Sequence, residues 1–537
     1  MKSSLNKKEI NNYLYKHKLL SIMKCKSLIL LVGLILSETS WGKGLIPYPM
    51  QMKQEKGQFV FTPQTKLSCD KELKAQSLFY EEILETRLGF DLINSGKSSS
   101  QVYLNLDEKL ELPEEGYQLN VTRDEIKIDA PTSKGIFYGL QSLLQLLEPN
   151  PAKQTATVPL TSIEDFPRLG WRGVMLDVSR TFMSVNLVKR YIDLMASYKL
   201  NVLHLHLTDD QGWRIEIKKY PRLTSVGSKF DPEFNEMGGY YTQEDIKELV
   251  AYAALRNVTI VPEIDLPGHT CAAIAAYPNL SCRSLRPLIH PFVMGPNIHE
   301  EILCAGKPEV YDFIYGVLDE LMVLFPSEYI HIGGDEAPKR EWKQCLYCQK
   351  MIKENGLNNE EELQSHFVKK IGSYLADKGR KLVGWDEIME GGKLSGNEVI
   401  MYWRGWVGNQ VADHAKQNFK IVSSPTSHCY FDYSYNAINT QKVYSFEPIP
   451  ADIPADKRSN YIGVQANFWS HLDRAESRID NQLFPRLFAL AEIGWTAPDK
   501  KDWSRFRNFA RIHSEYLRAQ NVNVHYDKQL YYPESAK

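Results

Sequence analysis

Net charge is what this chain of 537 residues has least of: 64 Lys and Arg stand against 66 Asp and Glu, leaving -2. So even a balance gives no electrostatic case for binding nucleic acid or an anionic membrane surface. Long apolar runs are also scarce. The run at residues 28–36, Leu-Ile-Leu-Leu-Val-Gly-Leu-Ile-Leu, is too short to span a bilayer comfortably, so no permanent membrane span is expected. There is no solenoid repeat and no low-complexity linker. Cysteine is sparse at eight, and the C-x-x-C formed by Cys345 and Cys348 has no second such pair, too little for a structural zinc site.

The same short apolar run follows Lys24 and Lys26 and precedes the small residues of Ser40-Trp41-Gly42, which reads as a signal peptide over residues 1–42, with Met23 a candidate start. That segment holds seven Lys and two Glu, so its removal leaves a net charge of -7. The expected address is periplasmic or extracellular. In such an oxidising compartment Cys282 and Cys304, which bracket a loop, are expected to form a disulfide.

Two rhythms follow. Over residues 43–162 short alternating stretches (Gln101–Leu106, Tyr117–Val121, Glu125–Ile128) mix with helical spacing at Leu73–Thr86 and Lys134–Leu147, which predicts a small α+β domain. Over residues 163–500 strand and helix alternate. Apolar runs at 173–176, 201–207, 258–264, 329–332, 381–385, 399–403, 419–422 and 462–466 predict a closed parallel (β/α)8 TIM barrel. Helices are expected at 185–198, 242–256, 309–325, 360–378 and 481–494, and residues 501–537 form a C-terminal helical tail packed on the barrel.

A barrel of this kind places chemistry where its strands end. The strand ends here read Asp177-Val-Ser-Arg180, Asp209-Asp-Gln-Gly-Trp213, Glu263-Ile-Asp265 leading to His269, Asp335-Glu336, Trp385-Asp-Glu, Trp403-Arg-Gly-Trp406, Tyr430-Phe-Asp432 and Trp469-Ser-His471. Carboxylates mixed with indoles suit a sugar, whose hydroxyls bind acids and whose apolar face lies on flat rings. Asp335 and Glu336 stand out, since two adjacent acids resist ionising together and one can keep a proton for acid catalysis. A bare Asp-Glu is otherwise a surface loop, and indoles are otherwise barrel packing. His331, inside its strand, reads as a buried partner rather than a catalyst.

The motifs Asp177-x-Ser-Arg180, His204-Leu-His206-Leu-Thr-Asp209-Asp-Gln-Gly-Trp213, Asp265-x-Pro-Gly-His269 and His331-Ile-Gly-Gly-Asp335-Glu336, in this order along residues 45–500, resemble the family 20 glycoside hydrolases, the β-N-acetylhexosaminidases. The resemblance extends to Lys134-Gly-Ile-Phe-Tyr-Gly-Leu in the smaller domain. It implies an exo-acting enzyme on glycans ending in N-acetylhexosamine, without cofactor or metal, in which the substrate's own acetamido group is the nucleophile. By position Glu336 is then the general acid and base, and Asp335 orients the acetamido group. Arg180 holds hydroxyls, Tyr430 meets the acetamido carbonyl, and Trp385, Trp403 and Trp469 wall the pocket. Asp209, His269, Asp265, His331 and His206 support Glu336. Where family members often carry Trp-x-Glu, this chain has Trp469-Ser470-His471, so either Asp432 or His471 is left to grip the outer hydroxyls, and the choice between gluco and galacto configuration stays open. Two rivals remain: a metal-dependent barrel hydrolase built on His204 and His206, and a sugar-binding protein that has lost catalysis.

Overall fold

The computed structural model describes residues 44–93, 100–229, 238–284, 298–470 and 476–532. The expected signal peptide and His471 lie outside the described residues. Eight parallel strands close into a barrel: β1 (Trp171–Asp177), β2 (Val202–His206), β3 (Thr259–Leu266), β4 (Tyr329–Gly333), β5 (Lys381–Trp385), β6 (Val399–Tyr402), β7 (Lys420–Ser423) and β8 (Tyr461–Phe468), with β8 pairing back onto β1. Each is buried nearly throughout, which is why they read as continuous apolar runs rather than alternations. Trp171, Val202, Val261, Val383, Val399, Met401 and Val422 pack together inside the barrel and leave it solid below the site.

Helices fall close to where periodicity predicts them. The helix Gln243–Ala254 opens on a reciprocal cap, with Thr242 accepting from the Asp245 amide while the Asp245 carboxylate accepts from the Thr242 amide. The single helix expected over 481–494 is two, Glu476–Leu483 and Arg486–Trp495, because Pro485 lacks the amide hydrogen needed to continue the first.

The N-terminal domain is a mixed sheet in which Gln51–Phe61, Thr155–Asp165, Tyr117–Val121, Glu125–Ala130, Gln101–Leu106 and Lys66–Cys69 lie side by side in that order. The helices Lys74–Leu88 and Ser133–Leu146 cover it. The C-terminal helix Trp503–Ala519 bridges both domains: His513 Nε2 lies 2.9 Å from the Gly44 carbonyl, and its ring meets Tyr198 and Phe488. Among the described residues, no helix is long and apolar enough to cross a membrane.

The expected Cys282–Cys304 disulfide is not formed. All seven cysteines of the described residues are unpaired, and the sulfurs of Cys304 and Cys282 lie against those of Cys345 and Cys348 instead, 3.5 to 3.8 Å apart. The chain before Cys304 is fixed by a bridge between Ser281 and Leu303 and by the Cys304 amide bonding to the Leu280 carbonyl, which turn its sulfur toward the turn after β4.

A buried ion pair joins the two domains. Asp165, at the end of the sheet, accepts from Lys199 Nζ at 2.9 Å and from Tyr117 Oη at 2.7 Å, and its other oxygen receives the Trp495 indole and the Met50 amide. Lys199 is itself buried, and burial pulls its pKa down while Asp165 pulls it back up. Removing the carboxylate strands a buried ammonium. Asp165→Ala is expected to destabilise the fold by about 3–5 kcal/mol in denaturant titration; a loss below about 1 kcal/mol would mean the pair does not hold the domains together.

Candidate active site

The site is built upward from Glu263, a carboxylate inside an otherwise apolar strand. Parallel register sets it level with His206 on β2 and with His331 on β4. Glu263 Oε2 accepts from His206 Nδ1 and lies 3.0 Å from His204 Nε2, while Oε1 accepts from the Trp385 indole at 3.0 Å and lies 3.0 Å from His331 Nδ1. All five side chains are fully or almost fully buried. Burial opposes the charge on Glu263, but the three imidazoles overcome it and hold its pKa well below the ordinary value. His206 responds in the opposite sense: burial disfavours its cation, yet Glu263 and Asp209 raise its pKa well above normal. His204 Nδ1 receives the Gln465 amide, and burial keeps that ring neutral, with a pKa near 4.

From there the network climbs to the mouth of the barrel. His206 Nε2 lies 2.7 Å from Asp209 Oδ2, which also takes Arg180 Nη2 at 2.7 Å. Arg180 is positioned by Asp177, whose Oδ1 accepts the amides of Ser179 and Arg180 and whose Oδ2 takes Arg180 Nη1 at 3.3 Å. Asp209 Oδ1 and Asp210 Oδ2 each lie 3.3 Å from His269 Nδ1, and His269 Nε2 lies 3.5 Å from Glu336 Oε2 and 3.9 Å from Asp335 Oδ2. Burial opposes the His269 cation, and Asp209, Asp210 and Glu336 together override it and raise its pKa well above normal. A continuous run of charged contacts thus links Glu263 to Glu336.

The acid pair follows a glycine turn. Gly333 and Gly334 have φ of +69° and +98°, and a Cβ on Gly333 would lie 1.7 Å from Asp265 Oδ1. Glu336 and His269 also take positive φ, +44° and +52°, a conformation that non-glycine residues adopt at some expense and that recurs at functional sites. Glu336 is partly exposed, with 34 % of its side-chain surface open, whereas Asp335 is nearly buried, and Asp335 Oδ1 has no hydrogen-bond partner among the described residues. Burial, and then Glu263 and Glu336 acting against the pull of His269, raise the Asp335 pKa to about 7. Beneath it Asp265, whose buried carboxyl oxygens have no hydrogen-bond partner among the described residues, is raised well above normal by burial and by Asp335.

Aromatic side chains line the far side. The Arg180 guanidinium lies 4.9 Å over the Trp469 ring; Trp469 neighbours Trp385 and Tyr430, and Tyr430 stacks on Trp403 at 6.1 Å. Trp385 is sealed beneath as a floor, while Trp403, Tyr430 and Trp469 stand higher. Asp432 follows Tyr430 on the same loop, and its carbonyl receives the Gln482 amide. Trp406 is 74 % exposed and touches Trp403 edge-on, outside this ring.

Sequence reasoning left Glu263, Asp386 and Glu387 out of the candidate set. Asp386 accepts the amides of Trp403 and Arg404, and Glu387 Oε2 takes the Trp403 indole at 2.8 Å. Burial, with Asp335 and Asp386 nearby, raises Glu387 to about 9. A carboxylate inside the apolar run 258–264 was the available signal for Glu263. Both His206 nitrogens are directed at carboxylates, Nδ1 at Glu263 and Nε2 at Asp209.

Known proteins resemble this chain along most of its length. Residues 169–498 match the model of glycosyl hydrolase family 20, catalytic domain, and residues 43–166 match glycosyl hydrolase family 20, domain 2. The chain belongs to glycosyl hydrolase family 20. It is 40% identical over 512 residues to a beta-hexosaminidase of Porphyromonas gingivalis, covering 91% of this chain and 65% of that one. It is 32% identical to the beta-N-acetylhexosaminidase of Cellulomonas fimi, over 91% of this chain and 97% of that protein. Among solved structures, the exo beta-N-acetylglucosaminidase of Vibrio harveyi in complex with N-acetylglucosamine superposes with a TM-score of 0.81 at 34% identity, covering 89% of this chain and 78% of that one. Family membership makes the chain a glycoside hydrolase.

The raised pKa of Asp335 has a consequence for stability. Its native value near 7 lies above the ordinary 3.8, so between those values the folded state holds the proton more tightly, and stability falls as pH rises through the window. Asp335→Asn removes the buried charge. It is expected to melt several degrees above the parent at pH 8, with the gain shrinking towards pH 4–5; a gain that is larger at the acid end would contradict this origin.

Proposed function

We propose that this family 20 hydrolase is an exo-β-N-acetylhexosaminidase, releasing terminal non-reducing β-linked N-acetylglucosamine or N-acetylgalactosamine by a substrate-assisted retaining mechanism. The observation that carries the reading is the unpartnered Asp335 Oδ1 beside a Glu336 held by His269. An amide N–H of a bound 2-acetamido group is the partner that such a buried acceptor requires.

In this mechanism the acetamido oxygen attacks the anomeric carbon as the bond to the leaving oxygen breaks, and Glu336 gives that oxygen its proton. The intermediate is a bicyclic oxazolinium. Asp335 accepts the acetamido N–H and, as an anion, offsets the positive charge that grows on the ring. Water, deprotonated by Glu336, then attacks from the opposite side, reopens the ring and restores both the acetamido group and the starting configuration. The His269 cation, backed by Asp209, keeps Glu336 oriented through both proton transfers. Tyr430 donates to the acetamido carbonyl, Trp385, Trp403 and Trp469 enclose the acetamido group and sugar ring, and Arg180 holds ring hydroxyls. The N-terminal residues 1–42 support export to the periplasm or beyond, which fractionation of the producing cells tests.

Glu336→Gln is expected to lower kcat on aryl N-acetyl-β-glucosaminides by at least about 100-fold while leaving binding of N-acetylglucosamine within a few-fold of the parent; unchanged turnover would overturn the assignment. Plain aryl β-glucosides should not react with the parent enzyme.

A further inference from the structure

Outside the active site, a second cluster converges from three separate places in the chain. Cys282 and Cys304 lie in the connection after β3, and Cys345 and Cys348 flank the start of the helix Leu346–Glu354 after β4. Their sulfurs all lie within 4.8 Å of one another, with 304–348 at 3.5 Å, 304–345 at 3.6 Å and 282–348 at 3.8 Å. Three are buried and Cys282 is half-buried. A disulfide needs about 2.05 Å between sulfurs. The edge of a tetrahedron with a metal–sulfur bond of about 2.3 Å is roughly 3.8 Å, and the observed separations sit at that edge. A four-iron cluster holds its cysteine sulfurs farther apart than 4.8 Å, so a single ion is the fit.

We propose that Cys282, Cys304, Cys345 and Cys348 form a structural site for one zinc ion. Binding converts the four thiols to thiolates and releases their protons to solvent.

The backbone around the cluster fits this assignment independently. Gly306 abuts the Cys345–Cys348 turn so closely that a Cβ there would lie 2.2 Å from the Tyr347 carbonyl carbon and 2.3 Å from the Cys348 amide nitrogen. Only glycine lets the two cysteine-bearing segments meet. The Gly306 amide is directed at the Cys304 sulfur, a donor suited to a metal-bound thiolate. The neighbouring Lys307 ammonium is buried and ties down the Cys282 segment through the Asn279 and Ser281 carbonyls and Ser284 Oγ, at 2.8, 2.7 and 3.2 Å. That cation partly offsets the two excess negative charges of a tetrathiolate zinc centre. All four ligands are carried by the connections that follow β3 and β4, the strands leading to Asp265, His269, Asp335 and Glu336. Trp342, between Glu336 and Cys345, donates its indole to the Leu303 carbonyl at 2.9 Å, so the ion would lock an existing seam between these two connections.

The test uses the full chain purified without chelator or added metal. Elemental analysis should find about one zinc per chain, and intact mass should show reduced cysteines. Cys304→Ser and Cys348→Ser should each lose the metal, while Cys429→Ser, a buried cysteine elsewhere, should keep it. Should the ligand variants fail to fold, wild-type chain produced in cobalt-supplemented medium should show the sulfur-to-metal charge-transfer bands of a tetrathiolate centre. Zinc well below one equivalent, with a mass lowered by about 2 Da for each disulfide formed, would overturn the proposal in favour of paired disulfides. Metal-free chain with all thiols free, bound iron in place of zinc, or cobalt protein without those bands would overturn it as well.

Discussion

A carboxylate buried among three imidazoles and an indole is the constraint that the active site depends on. Glu263 sits too deep for water to stabilise, so its charge has to be met by neighbours in register on β2 and β4. That requirement makes His206 a cation, which can then hold Asp209, which in turn holds both Arg180 and His269. The barrel thereby turns one buried acid into a rigid lattice of alternating charges reaching the surface where Glu336 is displayed.

The same lattice sets the two members of the acid pair apart. Glu336 is partly exposed and faces the His269 cation, as suits a group that gives and takes a proton. Asp335 is turned inward beside Asp265, in a place where carboxylates outnumber cations, so its ionised form is held at a disadvantage until a positively charged or hydrogen-bond-donating group arrives. Strain at Glu336 and the clash that forbids a side chain on Gly333 belong to the same arrangement: the turn after β4 is shaped for the site rather than for stability.

Much of this was legible from residue order. Barrel strands buried on both faces announce themselves as short apolar runs, and polar strand ends announce the mouth. The strands Gln51–Phe61 and Thr155–Asp165 were not legible, because the first is exposed and polar for most of its length and carries little periodicity. Glu263 read as part of a strand end, since only inter-strand register reveals what surrounds it. The cysteines misled for a related reason. Sequence spacing made Cys345 and Cys348 a lone pair and Cys282 and Cys304 each other's partners, whereas the connections after β3 and β4 bring all four to one point. Local pattern carried the elements, and tertiary register carried the clusters.

The central claim is that the sugar's own acetamido group is the nucleophile while Asp335 and Glu336 supply counter-charge and proton. The most direct measurement is kcat/KM for aryl β-glucosaminides whose N-acyl group carries none, one, two or three fluorines, which weakens that oxygen stepwise without altering the leaving group. A steep fall with each fluorine is expected, and rates independent of fluorination would contradict the claim.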